Sequence, residues 1–306
     1  MTIASRVLAG FQRHKVIGWV VLLVYAALVT FPHNTVQYYA NEIAIHYTHA
    51  RLYQGSAICA AAIAIVINVW LLIRLRRAAE RSTILIAWVL TMLLTWGAWS
   101  GLTANNTEFV HYPQYFPEGV ILLALTGSPV EAIAWATILG GIDEAYQYTF
   151  IVNNRPVPYD FNDIVMDIAG AAAGVIFAMA FLPTERRKNV AGWIRSTLKR
   201  PGIAAVIGIL VSGILLWAAG LMTFYERPGA PPHWFSLSRQ TKLPFWFSVD
   251  FLGPRKFHEL SPLEGPIAIV LILGLYALLD RRVVIGAPSP VTSPQPIEQP
   301  ATESVE

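Results

Sequence analysis

Long apolar stretches separated by short polar connections dominate the chain, running over 16–31, 56–73, 83–101, 117–126, 130–150, 164–182, 203–224 and 266–279. Most approach the roughly 20 residues that carry a helix across a bilayer, the first and last being short. Inside lipid each backbone amide must find its partner within its own segment, so these stretches predict helices rather than isolated strands. The expected fold class is all-α: a polytopic membrane bundle of about eight transmembrane helices. One of them, 117–126, is the short arm of a hairpin whose turn is the uncharged Thr126-Gly127-Ser128-Pro129. Whether the hairpin crosses fully or re-enters is open at this level.

Basic residues set the orientation. With the N-terminus inside, Arg6, Arg13, Lys15, Arg74, Arg76, Arg77, Arg81, Arg186, Arg187, Lys188, Arg195, Lys199, Arg200, Arg281 and Arg282 fall on the cytoplasmic side. Arg51, Arg155, Arg227, Arg239, Lys242, Arg255 and Lys256 fall outside, five of the seven in one long connection, 225–265. Both termini are therefore expected in the cytoplasm. Four units follow: 1–82, two helices and an external loop; 83–182, a four-helix core; 183–285, two helices with the long aromatic loop; and 286–306, a disordered cytoplasmic tail with several prolines.

Composition agrees. Of 306 residues, 55% are hydrophobic and 13% charged, too apolar for an ordinary soluble domain. With 22 basic against 19 acidic residues there is no nucleic-acid footprint. The basic N-terminus before 16–31 resembles a signal peptide, but the run ends in Phe31-Pro32-His33-Asn34 without a small-residue cleavage pattern, so a retained helix is expected. Cys59, the lone cysteine, reads as a buried small hydrophobe. The external connections 32–55 and 102–118 carry His33, His46 and His49, and Glu108 and His111. The third, 225–265, is rich in Trp and Phe, the composition of an interfacial belt or of a ligand lid.

Carboxylates inside apolar helices are costly, about 2.5–3.5 kcal/mol each at mid-membrane, and mark function by default. Asp143, Glu144 and Gln147 lie near the end of 130–150, with Gly140 one turn before Glu144 on the same face. Asp163 and Asp167 open the next helix, and their stripe continues through Gly170 and Gly174. Small residues at that spacing let helices approach closely, which predicts that the two acid-bearing helices pack together, Gly140 facing the other two glycines. Asp163 is a candidate N-cap, and Arg155 the counter-charge. The set reads either as an ion-pair network that fixes packing or as an external site for a polar headgroup, a metal or a proton. A divalent cation on Glu144, Asp163 and Asp167 fits the second reading, although no cofactor is required by the sequence. His111 is a candidate acid or base.

The order of these motifs resembles the VanZ-like membrane family. The family's His-aromatic-x-x-Tyr appears as His111-Tyr112-Pro113-Gln114-Tyr115, its acid–Gln pair within Asp143-Glu144-Ala145-Tyr146-Gln147, and its loop arginine as Arg155. Its last core helix opens here as Asp163-Ile164-Val165-Met166-Asp167-Ile168-Ala169-Gly170, with Gly174 following. The chain departs in having Thr107-Glu108 where the family has Asp-Lys, Asp167 where it has Asn, and a longer spacing from Arg155 to Asp163, so that Asp160 could replace Asp163. The resemblance covers 83–182. It implies a bacterial cytoplasmic-membrane protein facing the envelope, with a role by analogy in resistance to the glycopeptide teicoplanin.

Three functions are expected from these readings. The first is binding of a lipid-linked or glycopeptide-like ligand at an outer acidic cleft lined by His111, Tyr115, Asp143, Glu144, Gln147, Arg155, Asp163 and Asp167. Arg155 would hold an anionic group, and apolar helix surfaces a lipid tail. The second is an enzyme, hydrolase or transferase, acting on an envelope lipid with His111 or Glu144 as base. The third is a transporter, weakened by the lack of an internal repeat. Membrane lipids are partners in all three.

Overall fold

In the computed structural model, the described residues are 3–104, 106–152, 157–186, 192–226, 235–239, 244–248 and 255–285. The protein is predominantly helical. In chain order the helices are α1 (Ile3–Arg13), α2 (Lys15–Thr30), α3 (His33–Tyr47), α4 (His49–Leu75), α5 (Arg81–Leu102), α6 (His111–Thr126), α7 (Pro129–Tyr146), α8 (Phe161–Met179), α9 (Trp193–Leu198), α10 (Pro201–Ala218) and α11 (Glu264–Asp280). Among the described residues, four are long and apolar enough to cross a membrane (most of α4, then α5, α8 and α10), and α1 with α2 makes a fifth if that pair, bent by 110°, counts as one span. α6 has 16 residues and α11 has 17.

α8 is the centre of the bundle. Its apolar residues run all the way round, the pattern of a helix enclosed by protein or lipid, and 89% of its membrane-length stretch is buried within the chain against 6% for α4. It packs on α5, α6, α7 and α11. α6 and α8 run in parallel at close range. A Cβ on Gly119 would stand 1.9 Å from the Ala171 carbonyl oxygen, one on Gly174 2.0 Å from that of Phe116, and one on Gly170 2.6 Å from that of Tyr112. The glycine stripe of α8 therefore faces α6, which corrects the expectation that it faces α7. Gly140 of α7 instead makes room for Asp167, whose Oδ2 would lie 2.9 Å from a Cβ there.

The hairpin forms where expected. Gly127, with φ at 66°, ends α6 in the left-handed region open to glycine. Ser128 caps α7, with Pro129 at its first position. Its hydroxyl donates to Asp280 Oδ1 at 2.7 Å, and Asp280 Oδ2 accepts from Arg200 Nη2 at 3.0 Å. Glu131 Oε1 accepts from the Gly202 amide at 2.8 Å and from Trp135 Nε1 at 3.0 Å, placing a carboxylate at the N-terminus of α10, where the helix dipole favours it. The turn thus lies level with the start of α10 and the end of α11. Here too β1 (Thr184–Arg186) pairs antiparallel with β4 (Val283–Ile285), and the Arg74 guanidinium rests 4.6 Å from the Phe181 ring centroid. This is the basic end of the bundle.

Several boundaries differ from expectation. The connection 32–55 contains α3, and α4 already begins at His49. α6 starts at His111 rather than at Pro117, which sits inside the helix, where it leaves the Pro113 carbonyl without its amide partner and crowds it with the ring. α10 stops at Ala218, followed by the short parallel pair β2 (Met222–Thr223) and β3 (Phe235–Ser236). Cys59 lies exposed on α4, not buried, in keeping with the apolar outward surface of that helix.

Candidate functional site

At the end opposite the hairpin turn, α6, α7 and α8 bring their acids together. α6 contributes His111, Tyr115 and Glu118, spaced four and three apart and therefore on one face. All three are buried. His111 sits between two carboxylates: Nδ1 is 2.9 Å from Asp167 Oδ1, and Nε2 is 3.5 Å from Asp163 Oδ1. Asp167 is fully buried, and the Asp163 side chain is 19% exposed, so the cluster reaches solvent through Asp163. The Tyr115 hydroxyl donates to Asp143 Oδ2 at 3.0 Å, and Gln147 Nε2 donates to Glu144 Oε1 at 3.0 Å. The structure brings together seven of the expected residues: His111, Tyr115, Asp143, Glu144, Gln147, Asp163 and Asp167. Arg155 lies outside the described residues.

The cap of α8 is Asp160, not Asp163. The Asp160 carboxylate accepts from the amides of Asn162 at 2.9 Å and Asp163 at 3.2 Å, leaving Asp163 in the first turn with its side chain free for His111. Burial, then the charge of Asp163, pushes the Asp160 carboxyl well above the usual carboxylate range; the backbone bond at Asp163 pulls the other way. Asn162 anchors this helix start, donating to the carbonyls of Leu102 at 2.9 Å and His258 at 2.8 Å and accepting from the Leu260 amide at 2.8 Å. Tyr159, whose hydroxyl donates to the Gly141 carbonyl at 2.5 Å, ties the same segment to α7.

α7 ends in a π-helical turn, Gln147–Ile151, a form that recurs at functional sites. Tyr148 in that turn is buried, its hydroxyl donates to the Ser236 carbonyl at 2.7 Å, and the Arg239 guanidinium lies 3.9 Å from its ring centroid. Arg239 also donates to the carbonyls of Val152 and Tyr148. Arg255 donates to the Trp99 carbonyl, and the His258 amide to that of Gly101 at 2.7 Å. The described parts of the aromatic loop are thus fastened across the ends of α5, α7 and α8 at the acid end. The Phe245 and Trp246 side chains remain exposed. His33, expected in a loop, opens α3 within electrostatic reach of Asp143, Asp163 and His111; burial lowers its pKa.

Beside the acids, α4, α5, α6 and α8 part to leave an apolar cleft of about 630 Å³, counting its open side. Its walls include Ile63, Ala64, Met92, Phe116 and Ala173, with Tyr112 and Gly170 next to the cluster. Asn68, the amide in the wall, accepts from Trp88 Nε1 at 2.9 Å. Sequence reasoning missed this cleft and Glu118. Among the described residues, no three His, Cys, Asp or Glu side chains are gathered as metal ligands would be. No family model, no curated protein and no solved structure matches the chain.

Proposed function

We propose that this protein holds an amphiphilic, lipid-linked ligand, its polar head at the Asp163–His111–Asp167 cluster and its hydrocarbon in the cleft between α4, α5, α6 and α8. One observation carries the reading: the apolar cleft and the acid cluster share a wall. Tyr112 follows His111 in α6, Gly170 lies three residues beyond Asp167 in α8, and both line the cleft. A site that is apolar over most of its surface with a few polar groups at one end suits a lipid with a small head. Carboxylates accept from sugar or polyol hydroxyls.

The setting goes with this reading. About eight passes, with α6–α7 a complete hairpin, place both termini in the cytoplasm and the acid end outside. The turn's position beside Arg200 and the basic residues gathered at that end support it. A bacterial cytoplasmic membrane and a teicoplanin-resistance-like role rest on the resemblance of the ordered motif from His111 to Gly174 to VanZ-like proteins. An enzymatic second reading is favoured by the 2.9 Å contact of His111 Nδ1 with Asp167, which orients the imidazole as a base-supporting carboxylate does. Nε2 would then meet the ligand as Asp163 yields.

Expression in a glycopeptide-sensitive host tests both, with teicoplanin sensitivity and labelled envelope lipids followed at matched membrane levels. Ala64→Trp, which fills the cleft from the exposed side of α4, is expected to abolish any phenotype of the wild type. His111→Gln with unchanged lipid species assigns binding; a substrate lipid accumulating only in that variant assigns catalysis. A wild type without effect on either readout contradicts the envelope role.

A further inference from the structure

A second groove opens at the basic end, between α5 and α11. Both helices pack on α8, and the hydroxyls of Thr91 and Tyr276, 2.7 Å apart, tie them together partway along. From that tie to the basic end runs an apolar groove of about 690 Å³, counting its open side. Ile86 and Leu90 of α5 and Leu275 and Leu278 of α11 wall it, with Thr83 and Arg282 at its mouth. The wall residues stand four and three apart, so each helix gives the groove one face. From Thr83 to Thr91, α5 rises about 12 Å. That approaches the ~15 Å of hydrocarbon in one leaflet of a roughly 30 Å core.

Of the residues lining the groove, Arg282 alone is charged. It is exposed but fixed in place: its amide donates to the Leu279 carbonyl at 2.9 Å, and the next residue opens β4. Arg81, two residues before Thr83, is exposed as well. Neither guanidinium has a carboxylate partner among the described residues. Glu80, beside Arg81, accepts from the Thr83 hydroxyl at 3.3 Å. We propose that this groove seats a phospholipid with an anionic headgroup from the surrounding bilayer, one acyl chain between α5 and α11 and the phosphate at Arg282 and Arg81. Basic pockets between spanning helices select anionic headgroups, and the guanidinium fork matches a phosphate. A helix from a second copy would run on past the Thr91–Tyr276 bond, whereas the walls end at Leu90 and Leu275, level with it. The seat lies at the opposite end from His111 and stands independently of the ligand proposed above. Exposed guanidinium groups hold an anion weakly, so the phospholipid exchanges with its bilayer neighbours and is washed out by detergent.

Photolabelling of the full-length protein in phosphatidylcholine vesicles tests this. The probe is a phospholipid with a mid-chain diazirine and either a phosphatidylglycerol or a phosphatidylcholine headgroup, and peptide mass spectrometry locates the adducts. Adducts are expected within 83–90 and 275–282, at about fivefold higher yield for the anionic probe. Arg282→Gln combined with Arg81→Gln should bring the ratio of the two yields towards one. Ile86→Trp, which fills the groove from its exposed side, should lower both yields. Ala64→Trp, in the other cleft, should leave them unchanged, so this seat and the lipid-linked ligand can fail separately. Equal yields for the two headgroups in wild type, or a ratio unchanged in the double arginine variant, overturns the proposal. Cross-linked dimers joined through α5 and α11 in place of lipid adducts also overturn it, assigning the groove to a second copy.

Discussion

The two ends of this bundle bury carboxylates in different company. At the basic end, Asp280 is bonded through one oxygen to Ser128 and through the other to Arg200, and Glu131 accepts two N–H groups on Oε1 while its Oε2 is left without a partner. These acids tie the hairpin turn to α10 and α11, which is structural work. At the acid end, Glu118, Asp143 and Asp167 each keep an unpartnered oxygen in the interior, and His111 lies between Asp163 and Asp167. The contrast separates acids held by amides and a guanidinium from acids gathered within electrostatic reach of one another.

Mutations sharpen that contrast. The largest effect is expected at the basic end: Asp280→Ala strands Arg200 and Ser128 and should cost about 3–5 kcal/mol, read as a fall in thermal midpoint in detergent. Gly119→Val should follow closely, because its side chain would enter the Ala171 backbone; a loss of at least about 1–3 kcal/mol is expected from overpacking. At the acid end, Glu118→Gln and Asp143→Asn should leave the midpoint unchanged or raised, because each removes a buried charge whose oxygen lacks a partner. A drop as large as that of Asp280→Ala would erase the distinction.

Smaller effects belong to the cap. Asp160→Ala should cost about 1 kcal/mol through loss of the α8 N-cap, while Asp160→Asn keeps the cap. Because the folded carboxyl is pushed above its ordinary value, the folded state holds the Asp160 proton more tightly than the unfolded chain. The contribution of this residue to stability is present below the ordinary carboxylate range and is lost as pH rises through its folded value. The Asn variant should flatten that decline in a pH series of unfolding midpoints.

The uninterrupted apolar runs 56–73, 83–101 and 164–182 are legible in the sequence because length and composition alone decide them, and α4, α5 and α8 contain them. α3 is not, since its Asn, Gln and His residues break any apolar stripe. α6 was foreshortened by Pro117, which ended the apolar run but not the helix. That assigned Glu118 to a connection, although His111, Tyr115 and Glu118 share one helical face and could have revealed it. Proximity of the acids followed from their spacing near helix ends. The pairing of Gly170 and Gly174 with α6, and of Arg200 with Asp280 across 80 positions, depends on which helices are neighbours, and spacing within one helix is silent on that.

The shared wall between cleft and cluster is the central claim, and lipid retained by the purified protein tests it most directly. Native mass spectrometry of wild type, Ala64→Trp and Glu118→Gln, each extracted in the same mild detergent, should find a bound lipid on wild type and Glu118→Gln and none on Ala64→Trp. Equal lipid occupancy in the folded Ala64→Trp protein, or none in wild type, would contradict the account.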